Sequence, residues 1–314
     1  GRTWKRIVNE GDVFGFALSF VQDPIEPNLM FLGTEGGLYV SMDGSATWEK
    51  WTHGYPTVPT MDLAIHPREH DLIIGTFGRA IWILDDIRPI REATTMGMKK
   101  LKEQTVHLFE IPDATHAVIG PYWGYRSTGN GMFFGENKPF SAAINFYVKE
   151  KKGKVKMEIS DQSGKIVRTR YLTPDAGLNR VYWGFETDGV RSPGSRQPSG
   201  NEVTPPSGYD ALPGTYNVKL TYNGQSSSQP INVLRDERVE GWDPAALQEK
   251  QAFIAKYYEL NNEVVVAVDQ LNEAQDIVGK IQQLDEDNEE LQKKSKEVKE
   301  KLAELRKLFY SEPV

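Results

Sequence analysis

The chain has no cysteine among its 314 residues, which excludes disulfides and thiolate chemistry. It has no run of 18 apolar residues, so no membrane-spanning helix is expected. A net charge of -7 gives no single-sign basic surface, and disfavours nucleic acid or an anionic membrane as partner. The familiar catalytic motifs are also missing: no phosphate loop, dinucleotide fingerprint, HExxH or GxSxG. Five histidines leave little for a metal centre. His66 and His70 bracket a turn at Pro67 and are too weakly supported to form one. No cofactor and no metal site are expected, and no catalytic residues are assigned. A glycosidase needs two carboxylates held across one bond, and nothing in the spacing pairs them.

What the chain has instead is a repeat. Gly33 to Trp48 reads GTEGGLYVSMDGSATW, and its opening returns 42 residues on as GTFGRAIWILDD from Gly75. Each unit holds short β-rich runs punctuated by glycine and proline. Phe14–Val21, Leu29–Thr34, Gly37–Ser41 and Thr47–Trp51 form four expected strands. Thr60–His66, Leu72–Thr76 and Ala80–Leu84 form three more, with a fourth uncertain. Four strands per unit is a propeller-blade pattern. Such a blade cannot bury both faces alone. Further amino-terminal blades, or another copy of the chain, are therefore expected as partners.

Ser41, Asp43, Gly44, Thr47 and Trp48 resemble the Asp-box, or BNR repeat, of sialidases and sortilin-type propellers, with Ser45 in the usual glycine place. Thr3 and Trp4 match the end of another copy. Asp43 is expected to accept backbone N–H groups in a turn, and Trp48 to pack between strands. Residues 76 to 86 resemble the last blade of bacterial secreted proteins often labelled glycosyl hydrolases. There Arg79 is either a solvated turn residue or a binding residue facing the ring axis.

Residues 91–112 read as a linker with about one helical turn, and Val106, His107, Leu108 and Phe109 resume an extended pattern within it. From 113 to 235 the period is two: Val155, Met157 and Ile159 alternate with Lys156 and Glu158, and Tyr216, Val218 and Leu220 with Asn217 and Lys219. Residues 155–168, 177–183 and 212–216 resemble the immunoglobulin-like domain of the flagellar hook-capping kind. Trp183 and Tyr182 are expected in its core or at an edge. Trp123, Tyr125 and Arg126 lie in a glycine-rich loop that either stacks on a ligand or docks the domain. The long segment from Gly189 to Asp210 is either mobile or packed on a neighbour.

Asp243 and Pro244 open a last part, 243–310, whose Leu284, Leu291, Val298 and Leu305 recur at sevens. An antiparallel helical hairpin is expected, reversing near 285–288, with a capping box of Asp287 and Glu290 and Gly279 as a competing break.

The expected fold is multidomain and mainly β: two terminal blades of a partial β-propeller (1–90), an immunoglobulin-like β-sandwich and the hairpin. The resemblance implies a secreted, periplasmic or cell-surface bacterial protein. Its expected role is non-catalytic binding or scaffolding, with a protein or glycan ligand. The alternatives are the tail of a hydrolase whose active site lies mostly in other blades, and an assembly or dimerisation module.

Overall fold

The computed structural model describes residues 2–9, 11–117, 138–284 and 286–309. It is a multidomain fold with several β-sheets and two long C-terminal helices packed together. No helix among the described residues is long and apolar enough to cross a membrane.

The first sheet is antiparallel, in the order β1 (Ala17–Gln22), β2 (Met30–Thr34), β3 (Gly37–Ser41) and β4 (Glu49–Lys50). The second holds β5 (Thr60–Ile65), β6 (Leu72–Thr76) and β7 (Ile81–Leu84). The two sheets stack, burying Leu29, Phe31, Leu38, Leu63, Leu72 and Ile74 between them. Gly33 marks the closest approach. A β-carbon there would lie 2.5 Å from the carbonyl oxygen of Thr60, and Ser19 Oγ donates to that same oxygen at 3.1 Å. The repeated Gly-Thr has a second cause. The Thr34 hydroxyl accepts from Gly36 N at 3.0 Å, and the Thr76 hydroxyl donates to Ala80 O at 2.7 Å. Each threonine ties down the turn that follows its strand.

No fourth strand follows β7. α1 (Arg88–Met96) takes its place, with Pro89 in its first turn, and α2 (Met98–Glu103) comes after Gly97. The expected linker of one helical turn is thus two helices. Proline suits a first helical turn because its missing N–H would be unpaired there anyway. α1 is held to the second sheet through Ile87, fully buried, whose N donates to His70 O at 2.8 Å.

The extended run expected at 106–109 is β8 (Val106–Leu108), which pairs with β10 (Ala142–Val148) and belongs to the next body. That body has one sheet in the order β13 (Gly177–Trp183), β10, β8. A second sheet runs β12 (Ile166–Leu172), β11 (Val155–Ser160), β16 (Gly214–Tyr222), β17 (Gln225–Arg235), β9 (Ala114–His116). β9 is parallel to β17, and a short pair joins β14 (Glu186–Asp188) to β15 (Ser207–Asp210). Both larger sheets contribute to one core containing Ile144, Phe146, Val155, Met157, Trp183 and Val218. The alternating burial of β11 and of residues 216–220 follows the sequence pattern. Trp183 is fully buried and Tyr182 sits exposed at its side. The segment from Gly189 to Asp210 is packed, since Arg191 and Gln197 both bond Asp269 on the following helix.

α3 (Pro244–Leu284) starts where expected, with Asp243 Oδ1 accepting from Ala245 N at 2.9 Å. It runs unbroken through Gly279. α4 (Glu289–Lys307) is capped by Asn288, whose Oδ1 accepts from Leu291 N at 3.0 Å, so the expected Asp287–Glu290 box is not the cap. Gln292 Nε2 donates to Gln282 O at 2.9 Å, and Arg306 reaches Gln275.

Candidate functional site

The turn after β3 shows what Asp43 does. Its Oδ1 accepts from Thr47 N and Ser41 Oγ, both at 2.9 Å, and its Oδ2 accepts from Thr47 Oγ1 at 2.5 Å. Ser41 Oγ in turn accepts from Ser45 N at 2.9 Å. Gly44 and Ser45 both take positive φ, 69° and 73°, and Gly44 N donates to Asn28 O at 3.0 Å. Burial alone would push the Asp43 carboxyl up. The hydrogen bonds from Thr47 and Ser41 outweigh it, and the pKa lies below the ordinary carboxylate value. Trp48 is buried beside Leu32 and Tyr39, and its Nε1 donates to Ile7 O at 2.9 Å. This is a structural clasp with both carboxylate oxygens occupied. Asp43→Ala should cost about 1 kcal/mol, read from the urea unfolding midpoint. An unchanged midpoint would remove the clasp assignment.

The other sequence candidates do not converge on this turn. Trp4 is 96% exposed and does not repeat the packing of Trp48; Thr3 is exposed beside it. Arg79 is exposed in the β6–β7 turn, where its carbonyl accepts from Trp82 Nε1 at 3.0 Å. Trp123, Tyr125 and Arg126 lie outside the described residues.

A different cluster forms where the first two sheets, α1 and the second body meet. A cleft of about 670 Å³ there is lined by Glu26, His70, Arg88, Arg91, Glu92 and Glu110, among others. Its floor is an ion pair: Arg91 Nε lies 2.8 Å from Asp23 Oδ2, and Arg91 and Asp23 are only 6% and 2% exposed. Asp23 Oδ1 accepts from the backbone N of Ile25 and Glu26, both at 2.8 Å. Arg91 Nη1 contacts His70 Nδ1 at 2.8 Å. A guanidinium only donates, so His70 Nδ1 accepts and its proton sits on Nε2. Burial, then the charges of Arg91 and Arg88, hold His70 below its ordinary pKa. Arg91 Nη2 is buried with no protein partner.

The carboxylates at the cleft are also engaged. Glu26 Oε2 accepts from Thr95 Oγ1 at 2.6 Å, and this bond leads in lowering its pKa. Glu92 bonds His107 at 2.7 Å and Glu110 N at 2.9 Å. These bonds outweigh burial, and the carboxyl lies below its usual value. Behind the cleft, Lys138 bonds both oxygens of Asp71 at 2.8 and 2.7 Å. Arg180 donates to the carbonyls of Asp85 and Asp86 at 2.8 and 3.2 Å, and to Asn145 at 2.7 Å. Burial raises the Asp85 carboxyl, partly opposed by Lys138. Among the described residues no group of three or more metal-ligating side chains is placed to hold an ion. Arg180 and the Glu92–His107 bond fasten one body to the other, while Arg91 ties α1 to the first two sheets within the first body. Sequence spacing could not reveal that tie, because Asp23 and Arg91 are 68 residues apart.

The His70 environment carries a pH signature. The unfolded imidazole titrates near ~6.5 and the folded one lower, so the unfolded state takes up its proton first. This contribution to stability is full above the unfolded value and is lost as pH falls toward the folded one. The melting temperature should drop between pH 7.5 and 5.5, and His70→Gln, which keeps an acceptor for Arg91, should flatten that drop. An identical slope in the variant would refute the assignment.

No family model matches the chain, and no curated protein matches it. Among solved structures it is similar to the BSP domain of a biofilm associated protein. The identity is 7% and the TM-score 0.21, over 70% of this chain and 25% of that one. The chain therefore spans a quarter of the length of the chain it matches. A likeness at that score carries no argument about fold or function.

Proposed function

We propose that the chain is a non-catalytic binding or scaffolding portion of a secreted bacterial Asp-box propeller protein. The first two sheets act as terminal blades, residues 113–235 as an immunoglobulin-like sandwich, and the last two helices as a hairpin. One observation carries this reading: each sheet of the two-sheet stack keeps exposed apolar side chains on its outer face. On the first sheet Phe20 stands opposite Leu32. Leu32 is covered by Val8 and Val13, while Phe20 and Leu18 remain exposed. On the second sheet Ile73 pairs with Ile83 and Gly75 with Ile81, and both Ile81 and Ile83 are exposed. Apolar rows on both outer faces suit stacking of further sheets. In this reading the ligand, a protein or a glycan, is held by the completed stack.

The test is photo-crosslinking in the producing cells, with a photoreactive residue at Phe20 or at Ile83. Cross-links to β-rich peptides, from the same polypeptide or another copy, are the expected result. Absence of protein cross-links at both positions would sink the proposal.

A further inference from the structure

We propose that α3 pairs with α3 of a second copy of this chain, antiparallel, across the row Phe253, Tyr257, Leu260 and Val264. Phe253, Tyr257, Leu260, Val264, Ala267, Leu271, Ala274, Val278 and Ile281 follow one another at alternating spacings of four and three. That is one unbroken heptad seam along a single helix. α4 serves only its later part. Arg306, one residue from the end of α4, reaches Gln275, and Lys299 and Gln292 both bond Gln282. Gln275 and Gln282 each immediately follow a seam residue, so α4 lies along the seam.

Among the described residues the seam continues uncovered ahead of α4. Phe253 is 75% exposed, and Tyr257 and Leu260 are each 60% exposed. Together with Lys256 and Glu263 they line a surface groove of about 440 Å³. The neighbouring side of α3 is already occupied. Tyr258 packs edge-on against Tyr209 at 5.5 Å, Gln251 bonds Asp210 O, and Val265 and Val268 are buried. The open row is therefore not a helix waiting for its own domain. It is an extension, past the end of α4, of an interface the chain already makes.

The sequence of the row selects its occupant. An antiparallel two-fold centred between Tyr257 and Leu260 sets Tyr257 against Leu260 of the second copy, and Phe253 against its Val264. Every open seam residue then has an apolar partner, large against small. The same two-fold brings Lys256, which flanks the seam, toward Glu263 of the second copy, and the reverse. Both side chains are exposed. A two-fold contact is self-complementary by construction, and this row satisfies that demand in both shape and charge. Lys250, at the next seam position before Phe253, ends the apolar row. The interface involves none of the sheet-face residues discussed above and does not rest on that reading.

The full chain should show a mass of twice 35.5 kDa at tens of micromolar in light scattering, dissociating on dilution. Phe253→Glu with Tyr257→Glu and Leu260→Glu should give the single-chain mass at every concentration, with unchanged circular dichroism because the three side chains are exposed. Lys256→Glu alone should weaken dimerisation about tenfold, and adding Glu263→Lys should restore it. A single-chain mass for the unaltered protein, a dimer that survives the triple substitution, or a charge swap that restores nothing would each overturn the proposal.

Discussion

Arg91→Met should destabilise the protein by about 3 kcal/mol, the lower end of the range for breaking one partner of a buried ion pair. The substitution keeps the apolar stem of the side chain and removes the charge, leaving Asp23 with no counter-ion at 2% exposure. The cost stays near the lower end because Asp23 Oδ1 still accepts two backbone N–H groups. Asp23→Asn combined with Arg91→Met should recover much of the loss, since no buried charge remains. The Nη2 atom of Arg91 is itself without a protein partner, so the intact pair is an imperfect one. Urea unfolding of the four members of this double-mutant cycle gives the coupling directly. Additive effects would mean that Arg91 holds α1 by packing alone. The damage should be local to the first body, with faster amide exchange in β2 and β6 and little change in β10 and β11.

Trp183→Ala should cost about 3–5 kcal/mol, the usual range for deleting a large buried aromatic. Trp183 is fully buried. Its ring meets Phe185 and Tyr216 edge-on at 5.5 and 5.4 Å, and its Nε1 donates to Glu186 O at 2.9 Å. Tyr216 shares this pocket, and burial raises its phenol to about 12. The substitution thus opens a cavity, abandons two ring contacts and orphans a carbonyl. Tyr182→Ala, one residue earlier on the exposed side of β13, should cost under about 1 kcal/mol. Fast amide exchange confined to β10, β11, β13 and β16 would identify the body that fails. Equal costs for the two substitutions would show that β13 does not sit in the register that places Trp183 inside.

Much of the architecture was legible because it is local. Strand alternation at 155–159 and 216–220 follows from a period of two, and the Asp43 turn from a short carboxylate placed four residues before Thr47. Asp243 and Pro244 announce a helix for the same reason, since a cap acts within one turn. The capping of α4 was misassigned by one residue. Asp287 and Asn288 are both good caps, and only the observed backbone puts Asn288 in reach of Leu291 N. The linker was misread more broadly. A helix of nine residues with threonines and a proline carries weak propensity, and α1 forms because Ile87, Ile90 and Ala93 find cores to enter.

Leu284, Val298 and Leu305 of the expected heptad series stand exposed; by itself, the sequence determined the repeat, the strand faces and the absence of thiol chemistry. Each of these depends on residues a few positions apart, where covalent geometry leaves few choices. Tertiary structure alone decided which faces are covered and which charges are paired. It brought Asp23 to Arg91 and Arg180 to Asp85, set Trp183 inside and Tyr182 outside, and stopped α4 short of Phe253. Those outcomes depend on how separate elements dock. Docking is fixed by the summed burial of many side chains rather than by any spacing along the chain.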